Sequence, residues 1–271
     1  MITYQKYNPS AGLSKYIKYF YFLEHDGNYQ NASLQRVTPD GCVEVNFNLA
    51  GKSLQSISGN GKERVQAESY VVNRTSEHYF VKRKGYVKMM GICFYPWGFN
   101  AFTHVPTTEI RDMQVDAVDI VGPDIKWLYE RLREAINCNE MISLVEDYLL
   151  KRIAEDKVDK LVMQSAIEMQ RNPFVSVSDI ANCYSISHRR LEQRFKSALG
   201  ISPKYFNKIN RFQRSLAQLK KGNTQDVVFK QGYYDQAHFI KEFKLFSGLS
   251  PEKYLNANHS LNDLVTKWGS V

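Results

Sequence analysis

The C-terminal half of the chain contains one pattern twice. Residues 180–205 and 228–253 align with a constant offset of 48 residues. Two copies indicate two similar folding units, because a solenoid needs about three or more. The positions that agree between the copies are Leu191 with Phe239, Phe195 with Phe243, Lys196 with Lys244, Gly200 with Gly248, and Ser202-Pro203 with Ser250-Pro251.

Each copy carries the start and stop signals of two short helices. Ser176 and Asp179 fit a capping box, which predicts a helix that ends near Tyr184. Ser187 then predicts a second helix, from Arg189 to about Ala198. In that helix the apolar residues recur at helical spacing and define one buried face.

The second copy has the same start and stop signals. Asp235 is the predicted cap of its second helix, and Gly200 and Gly248 occupy the position where a helix ends in a left-handed residue. Each Ser-Pro pair restarts a helix, because proline at the first helical position has no N–H to lose. Residues 208–221 are predicted to form one helix that joins the units rigidly.

Donor-rich side chains lie on the exposed face of the second helix of each unit. Arginine can contact guanine O6 and N7 together, and glutamine can contact adenine N6 and N7. Two rigidly joined helices of this kind can enter successive major grooves, about 34 Å apart. The alternative, a helical bundle with solvated basic faces, does not account for the repeat. The predicted DNA-binding residues are Arg189, Arg190, Gln193 and Arg194 in the first unit and Gln236, His238 and Lys241 in the second.

The excess positive charge lies in the same half. The formal net charge of the chain is +8, and residues 151–271 hold about 20 of the 36 Lys and Arg but only about 11 of the 28 Asp and Glu. A phosphate-binding module requires such an excess. Lys204, Lys208 and Arg211 are predicted to contact phosphates independently of base sequence.

These features resemble the AraC-type (arabinose-operon regulator) family of bacterial transcription factors over residues 157–256. The resemblance implies two helix-turn-helix units, here about 173–206 and 223–254, in which the second helix reads double-stranded DNA. It also implies a separate regulatory domain, placed at residues 1–152. Residues 257–271 are left as a tail.

The N-terminal half has the alternating pattern of a β domain. From Cys42 to Leu49 apolar and polar residues alternate, which predicts a half-buried strand with Glu44 on a solvated face. We therefore expect a small antiparallel barrel or sandwich. The turn at residues 59–62 resembles a phosphate loop only superficially. Further strands are predicted at residues 34–38, 54–58, 68–73, 78–82 and 86–94.

From about Pro123 the spacing becomes helical. Ile125, Leu128, Leu132 and Ile136 form one stripe, and a second helix follows up to residue 150. The expected architecture is thus multidomain, with a β-rich N-terminal domain carrying helices and an all-α C-terminal double helix-turn-helix. Short motifs also resemble the regulatory domain of one branch of the family: Tyr7-Asn-Pro-Ser10, Leu13 with Ile17, Thr38-Pro-Asp-Gly41 and Phe94-x-Pro96-x-Gly98.

No catalytic constellation is visible in the sequence. The six histidines lack metal-ligand spacing, no G-x-S-x-G turn is present, and the four cysteines are scattered. We expect no enzyme activity, metal or cofactor. One alternative remains open: a DNA-repair alkyltransferase fused to an AraC-type unit, which would need a reactive acceptor cysteine, often held on zinc by several close cysteines. Zinc content together with methyl transfer to a thiol would distinguish it, and we expect neither.

The sequence therefore predicts a cytoplasmic, sequence-specific DNA-binding regulator. It has neither a signal-peptide pattern nor an apolar run of about 18 residues, so no membrane association is expected. The aromatic run Tyr16–Phe22 is more typical of core than of a ligand pocket. The expected partners are RNA polymerase, a small apolar or aromatic effector in the barrel, and a second copy of the chain bound through residues 123–150.

Overall fold

The computed structural model describes residues 2–26, 35–50, 54–57, 63–83, 85–172, 174–221 and 227–257. The predicted turn at residues 59–62 and the tail beyond residue 257 lie outside them. Among the helices in this part of the chain, none combines the length and the apolar character that a bilayer span requires.

Ten strands form two antiparallel sheets in the described N-terminal residues. The larger sheet has the order β1-β2-β9-β4-β7-β10 and the smaller the order β3-β8-β5-β6. The predicted antiparallel β domain is confirmed. The strands are β1 (Ile2–Tyr7), β2 (Ile17–Asp26), β3 (Gln35–Val37), β4 (Val43–Asn48), β5 (Leu54–Ile57), β6 (Glu63–Val65), β7 (Ser69–Asn73), β8 (Tyr79–Arg83), β9 (Tyr86–Phe94) and β10 (Met113–Asp116).

The two faces of the larger sheet contribute to different cores. One face packs with the smaller sheet through an interior cluster that includes four tyrosines: Tyr4, Tyr21, Tyr70 and Tyr79. The other face packs against the helices, and its buried residues belong to an apolar cluster that continues into the C-terminal half. Because strand side chains alternate, each central strand serves both cores.

This arrangement corrects the prediction for β4. Its apolar residues Val43, Val45 and Phe47 face the helices as expected, but Asn46 and Asn48 on the opposite face are buried too. Glu44 is half-buried and accepts a hydrogen bond from the Tyr21 hydroxyl at 3.0 Å. The prediction of a solvated polar face was wrong because alternation alone does not show that a second sheet covers that face.

The helices begin beside the larger sheet and continue through the C-terminal half. The predicted stripe of α2 is buried at Ile125, Leu128 and Leu132, but Ile136 is 90% exposed because α2 ends two residues before it. The helices are α1 (Ala117–Val121), α2 (Ile125–Glu134), α3 (Cys138–Leu150), α4 (Lys160–Arg171), α5 (Val177–Cys183), α6 (His188–Leu199), α7 (Pro203–Lys220), α8 (Val227–Lys230), α9 (Gln236–Ser247) and α10 (Pro251–Asn256).

Candidate nucleic-acid interface

Side-chain caps fix the two short helices of the first unit. Asp179 N–H donates to Ser176 Oγ at 3.0 Å, and Ser176 N–H donates to Asp179 Oδ2 at 2.9 Å, which completes the predicted capping box. Ser187 Oγ accepts from Arg190 N–H at 3.2 Å and opens α6. Gly200 ends α6 with a φ of 73°. The helix caps and helix ends predicted from the sequence are confirmed in this unit.

The second unit is capped in the same way. Asp235 Oδ1 accepts from His238 N–H at 2.7 Å at the start of α9, and Gly248 ends that helix with a φ of 74°. Ser202 and Ser250 cap α7 and α10, each with proline in the first turn. Helix α7 starts at Pro203, five residues before the predicted residue 208, because the Ser-Pro restart and the apolar stripe belong to one helix.

The buried faces of α6 and α9 decide which side chains are available for contact. Phe195 in α6 and Phe243 in α9 are both 0% exposed, as the pattern predicts. In α6, Leu199 is also buried, while Ala198, predicted for that face, is only half-buried. Five of the seven predicted DNA-binding residues are exposed on these helices: Arg189, Arg190, Gln193, Gln236 and Lys241.

Arg194 differs from those five, because its guanidinium group is held within the protein. Its Nε lies 2.8 Å from Asp159 Oδ2, and its Nη2 lies 2.7 Å from Asp159 Oδ1. Asp159 is the N-cap of α4. Burial disfavours the carboxylate, but the Arg194 and backbone hydrogen bonds outweigh this and hold the pKa of Asp159 below its usual value. This pair ties α6 to α4.

The second unit contains the same connection with the charges exchanged. Glu242 stands 48 residues after Arg194, at the equivalent position of α9. It accepts a two-point ion pair from Arg211 of α7, at 2.8 Å from Nε and 2.7 Å from Nη2. The Glu242 side chain is 3% exposed. Arg211, predicted to contact phosphate, therefore uses its donors to tie α9 to α7.

His238 is half-buried at the edge of the exposed face. Its Nε2 lies 3.6 Å from Glu242 Oε2, and Tyr234 N–H donates to its Nδ1 at 3.5 Å. Its ring contacts the ring of Tyr233 edge to face, with centroids 5.5 Å apart. Of the predicted residues, His238 and Arg194 thus have protein partners. Sequence reasoning missed the Arg–carboxylate pairs because their members are 31 and 35 residues apart.

The C-terminal end of α6 is held by the N-terminal half. Asn100 Nδ2 and Thr107 Oγ1 both donate to the carbonyl oxygen of Ala198, at 2.7 and 2.9 Å, and Arg111 Nη1 donates to that of Gly200 at 3.2 Å. The last carbonyls of a helix have no partner within the helix, so these donors satisfy groups that would otherwise need water.

The C-terminal end of α9 is held in a similar way. Arg36 of β3 donates through Nη1 to the carbonyl oxygen of Ser247. Gly248 lies so close to the His78 imidazole that a methyl group at this position would overlap the ring. No sequence signal pointed to these contacts. They anchor α6 and α9 at the ends opposite to Arg189 and Gln236.

Two family models match separate parts of the chain. Residues 180–257 match the family described as a helix-turn-helix domain. Residues 5–116 match a family described as a domain of unknown function (DUF6597). A search of curated proteins found no match.

Several solved structures are similar to the chain at low sequence identity. The apo form of a ToxT variant from Vibrio cholerae is 12% identical over 92% of this chain and 99% of its own, with a TM-score of 0.48. The C-terminal domain of the response regulator AraT from Geobacillus stearothermophilus is 21% identical over 37% of this chain and 88% of its own, with a TM-score of 0.34. The AraC-like transcriptional activator CuxR is 11% identical over 80% of this chain and 77% of its own, with a TM-score of 0.26.

The doubled unit agrees with the match of residues 180–257 to the helix-turn-helix family. The predicted two-part fold, an antiparallel β domain in front of a helical helix-turn-helix region, is confirmed.

Proposed function

We propose that the chain regulates transcription by placing α6 and α9 in successive major grooves of one DNA site. Arg189, Arg190 and Gln193 contact bases in the first half of the site. Gln236, His238 and Lys241 contact bases in the second half. Arginine, lysine and glutamine supply the donors that major-groove base edges accept.

The observation that carries the proposal is the orientation of the two helices. Each is buried along one side, anchored at its C-terminal end, and exposed along the side that holds these polar residues. In helix-turn-helix proteins the N-terminal residues of the second helix reach the base edges. Arg189 and Gln236 each lie in the first turn of their helix.

Two roles change from those that the sequence predicted. We assign Arg194 and Arg211 to fixing the helices, because their guanidinium groups are already paired with Asp159 and Glu242. Lys204, which is exposed, and Lys208, which is half-buried, keep the role of phosphate contacts.

Selection of bound sequences from random DNA by the full-length protein tests the proposal. The expected site has two half-sites about 10 base pairs apart. Arg189→Ala should relax base preference in one half-site only and cost about 1–3 kcal/mol in affinity. Lys241→Ala should do the same in the other. Lys15→Ala, which removes an exposed lysine of the β domain, is the control and should change neither. A uniform loss for all sequences would instead assign Arg189 and Lys241 to the phosphate backbone.

We further propose that residues 1–152 form the regulatory domain and residues 157–256 the DNA-binding domain. An open cleft of about 200 Å³ beside Tyr70 is the place that we propose for a small apolar or aromatic effector. Tyr70 also belongs to the interior cluster between the sheets, so a ligand here contacts the core of the domain. An effector that binds the folded state raises its melting temperature. A metabolite screen by thermal shift on the full chain, with Tyr70→Ala as the control, tests this.

The remaining partners follow from the same role. RNA polymerase is the proposed protein partner. A second copy of the chain is proposed to dock on α2 and α3, where Trp127 is 60% exposed and Leu150 is 45% exposed. Sedimentation of the wild type and of Trp127→Glu decides this: a dimer that the variant weakens supports the surface, and a monomeric wild type rejects it. We propose a cytoplasmic, non-catalytic protein.

The alternative of a fused alkyltransferase is not favoured. Cys42 and Cys93 are buried in the β domain and Cys138 is half-buried, whereas Cys183 is exposed at the end of α5 but stands 45 residues from the nearest other cysteine in sequence. An acceptor thiol would have to reach an alkyl group on bound DNA. Incubation with methylated DNA followed by mass measurement should show no methyl group on any cysteine.

A further inference from the structure

Two thiols and a carboxylate meet on the face of the larger sheet that is turned toward the smaller sheet. Asp40 and Cys42 lie in the turn before β4, and Cys93 lies near the end of β9. The two sulfur atoms and a carboxylate oxygen of Asp40 are all within 4.8 Å of one another. Cys42 is 5% exposed, Cys93 is 0% exposed, and both are free thiols.

The backbone fixes this meeting point. In the register of β4 and β9, Glu44 pairs with Cys93. Cys42 lies two residues before Glu44, so both sulfurs point to the same face of the sheet. The N–H of Cys42 donates to Asp40 Oδ1 at 2.9 Å and holds the carboxylate beside the thiols.

Side chains of both signs surround the cluster. Lys18 Nζ lies 3.7 Å from Cys42 Sγ and 3.7 Å from Asp40 Oδ2, and Lys6 and Glu44 also lie near Asp40. If binding of a divalent cation released both thiol protons to solvent, the two thiolate charges would equal the charge of the cation. Lys18 is 39% exposed along its side chain and can turn toward solvent when a cation takes its place.

We propose that Asp40, Cys42 and Cys93 bind a thiophilic divalent cation of the zinc class. Thiolate ligands select such cations over magnesium or calcium. Zinc lies about 2.3 Å from sulfur and about 2.1 Å from oxygen, so tetrahedral ligand atoms are about 3.5–3.8 Å apart. The three ligand atoms are now within 4.8 Å of one another, and small side-chain rotations that move each atom by about 1 Å would complete the site. Three protein ligands leave the fourth position to water or another small molecule.

The site lies next to the helix that joins the two DNA-binding units. Gln213 of α7 donates through Nε2 to the carbonyl oxygen of Pro39 at 2.7 Å. A Cβ added at Gly41 would contact Ile209 and Phe206 of the same helix at 3.8 and 3.9 Å, so the turn runs beside α7. A cation bound to Asp40 and Cys42 therefore acts on a turn that contacts α7, and its occupancy is expected to change DNA affinity. This second part rests on the proposed function.

Titration of the reduced, metal-free full chain with Co²⁺ tests the site. We expect one Co²⁺ per chain, with a near-ultraviolet thiolate-to-cobalt absorption band that added Zn²⁺ abolishes. Cys42→Ser and Cys93→Ser should each lose most of the band, and Asp40→Asn should weaken binding at least tenfold. The matched control is Cys138→Ser with Cys183→Ser, which removes the two other cysteines and should leave the band unchanged. Circular dichroism checks that every variant is folded.

The proposal is overturned if the folded wild type shows no band, or if the band survives in both Cys42→Ser and Cys93→Ser. A Cys42–Cys93 disulfide that forms in air, in a protein that takes up no Co²⁺ when reduced, would also overturn it and identify a redox pair. A band that disappears in the Cys138 and Cys183 control would move the site elsewhere.

Gel shifts with and without Zn²⁺ test the link to α7. A change of about fivefold or more in the DNA affinity of the wild type is expected, which is the lower end of typical coupling between sites. Gln213→Ala should reduce that change. Equal affinities in the wild type would overturn the link. If the protein bound no DNA at all, the proposed function would fail, while the cobalt band would still decide the metal site.

Discussion

At the scale of single residues, position in the sequence repeat does not define a role. Arg189 and Arg194 lie on the same helix and carry the same group, yet one is in solvent and the other is paired with Asp159. Asp159 uses two of the five guanidinium donors of Arg194, and this ion pair holds the group against α4 instead of leaving it free to reach a base. The surroundings of each arginine therefore indicate whether it is free to contact DNA or holds two helices together.

We expect Arg194→Ala to lower the stability of the fold and Arg189→Ala to lower the affinity for DNA. Removing Arg194 leaves the Asp159 carboxylate without its charged partner and should lower the free energy of unfolding by about 1–2 kcal/mol. Arg189→Ala should change it by less than about 0.5 kcal/mol. Urea unfolding of both variants measures this. If Arg194→Ala and Arg189→Ala lowered the free energy of unfolding equally, the Arg194–Asp159 ion pair would not contribute to stability in solution.

Glu44 is expected to make stability depend on pH. Burial, and then the nearby Asp40, raise the pKa of Glu44 to about 7. The folded state thus holds this proton more tightly than the unfolded state, whose value is about 4.3. The contribution of the group to stability must fall as pH rises from about 4.3 to about 7, and stay low above that.

Thermal unfolding of Glu44→Gln measures this effect. The variant cannot ionise, so its melting temperature should exceed that of the wild type by more at pH 8 than at pH 5. Glu24→Gln, on the exposed part of the same sheet, is the control and should show no such difference. A gap for Glu44→Gln that is the same at both pH values would contradict the raised pKa.

At the scale of elements, the two units share a plan in which an Arg–carboxylate pair ties the second helix to the helix in front of the unit. Arg194 bonds Asp159 of α4 in the first unit, and Glu242 bonds Arg211 of α7 in the second. The tied position on the second helix is equivalent, but the charges are exchanged and the partner lies at a helix start in one unit and within the helix in the other. The equivalent positions 194 and 242 thus share a connection to another helix, although the residues at these positions differ.

Arg211→Ala should destabilise the second unit strongly. Glu242 is nearly buried, and a buried charge that loses its partner costs about 3–5 kcal/mol. The guanidinium also covers the ring of Tyr233, at 4.6 Å from its centroid. Lys208→Ala on the same helix is the control and should cost less than about 0.5 kcal/mol. Similar midpoints in urea for the two variants would show that the pair is not what holds α9.

At the scale of the whole molecule, the β domain holds the ends of α6 and α9 that lie away from the proposed DNA-binding face. Asn100, Thr107 and Arg111 satisfy carbonyls at the end of α6, and Arg36 does so at the end of α9. Cations and polar donors are favourable at helix C-termini. A change in the β domain can therefore alter the relative position of the two helices.

A comparison of two glycines tests the contact at the end of α9. Gly248 and Gly85 have nearly equal φ values, 74° and 77°, but Gly248 contacts His78, whereas an added methyl group at Gly85 meets open space. Gly85→Ala should cost about 1 kcal/mol from backbone strain alone. Gly248→Ala must also displace His78 and should cost clearly more, with faster hydrogen exchange in the last turn of α9. Equal costs would indicate that the β domain does not dock there.

The charge distribution predicts strong salt dependence of DNA binding. A two-unit module that contacts about 6–10 phosphates should lose roughly 10³–10⁵ in affinity between 50 and 200 mM salt. Lys204→Ala should reduce the slope by about one phosphate contact. A nearly flat response would rule out phosphate contacts as the main source of affinity.

The sequence by itself determined the elements of the C-terminal half. Capping by Ser187 and Asp235, left-handed ends at Gly200 and Gly248, and apolar spacing act within a few residues, so they can be read in order along the chain. The same local patterns gave most of the strands. They also gave the exposed residues of α6 and α9, because a helix that buries one face must present the other.

Only the tertiary structure decided which groups meet across long separations. It covered both faces of β4, paired Arg194 with Asp159, brought Cys42 beside Cys93, and set the β domain against the ends of α6 and α9. None of these contacts has a local signal, because each depends on the packing of sheets and helices distant in sequence. Periodicity shows that a face is apolar or polar, whereas its partner is fixed only when the whole chain packs.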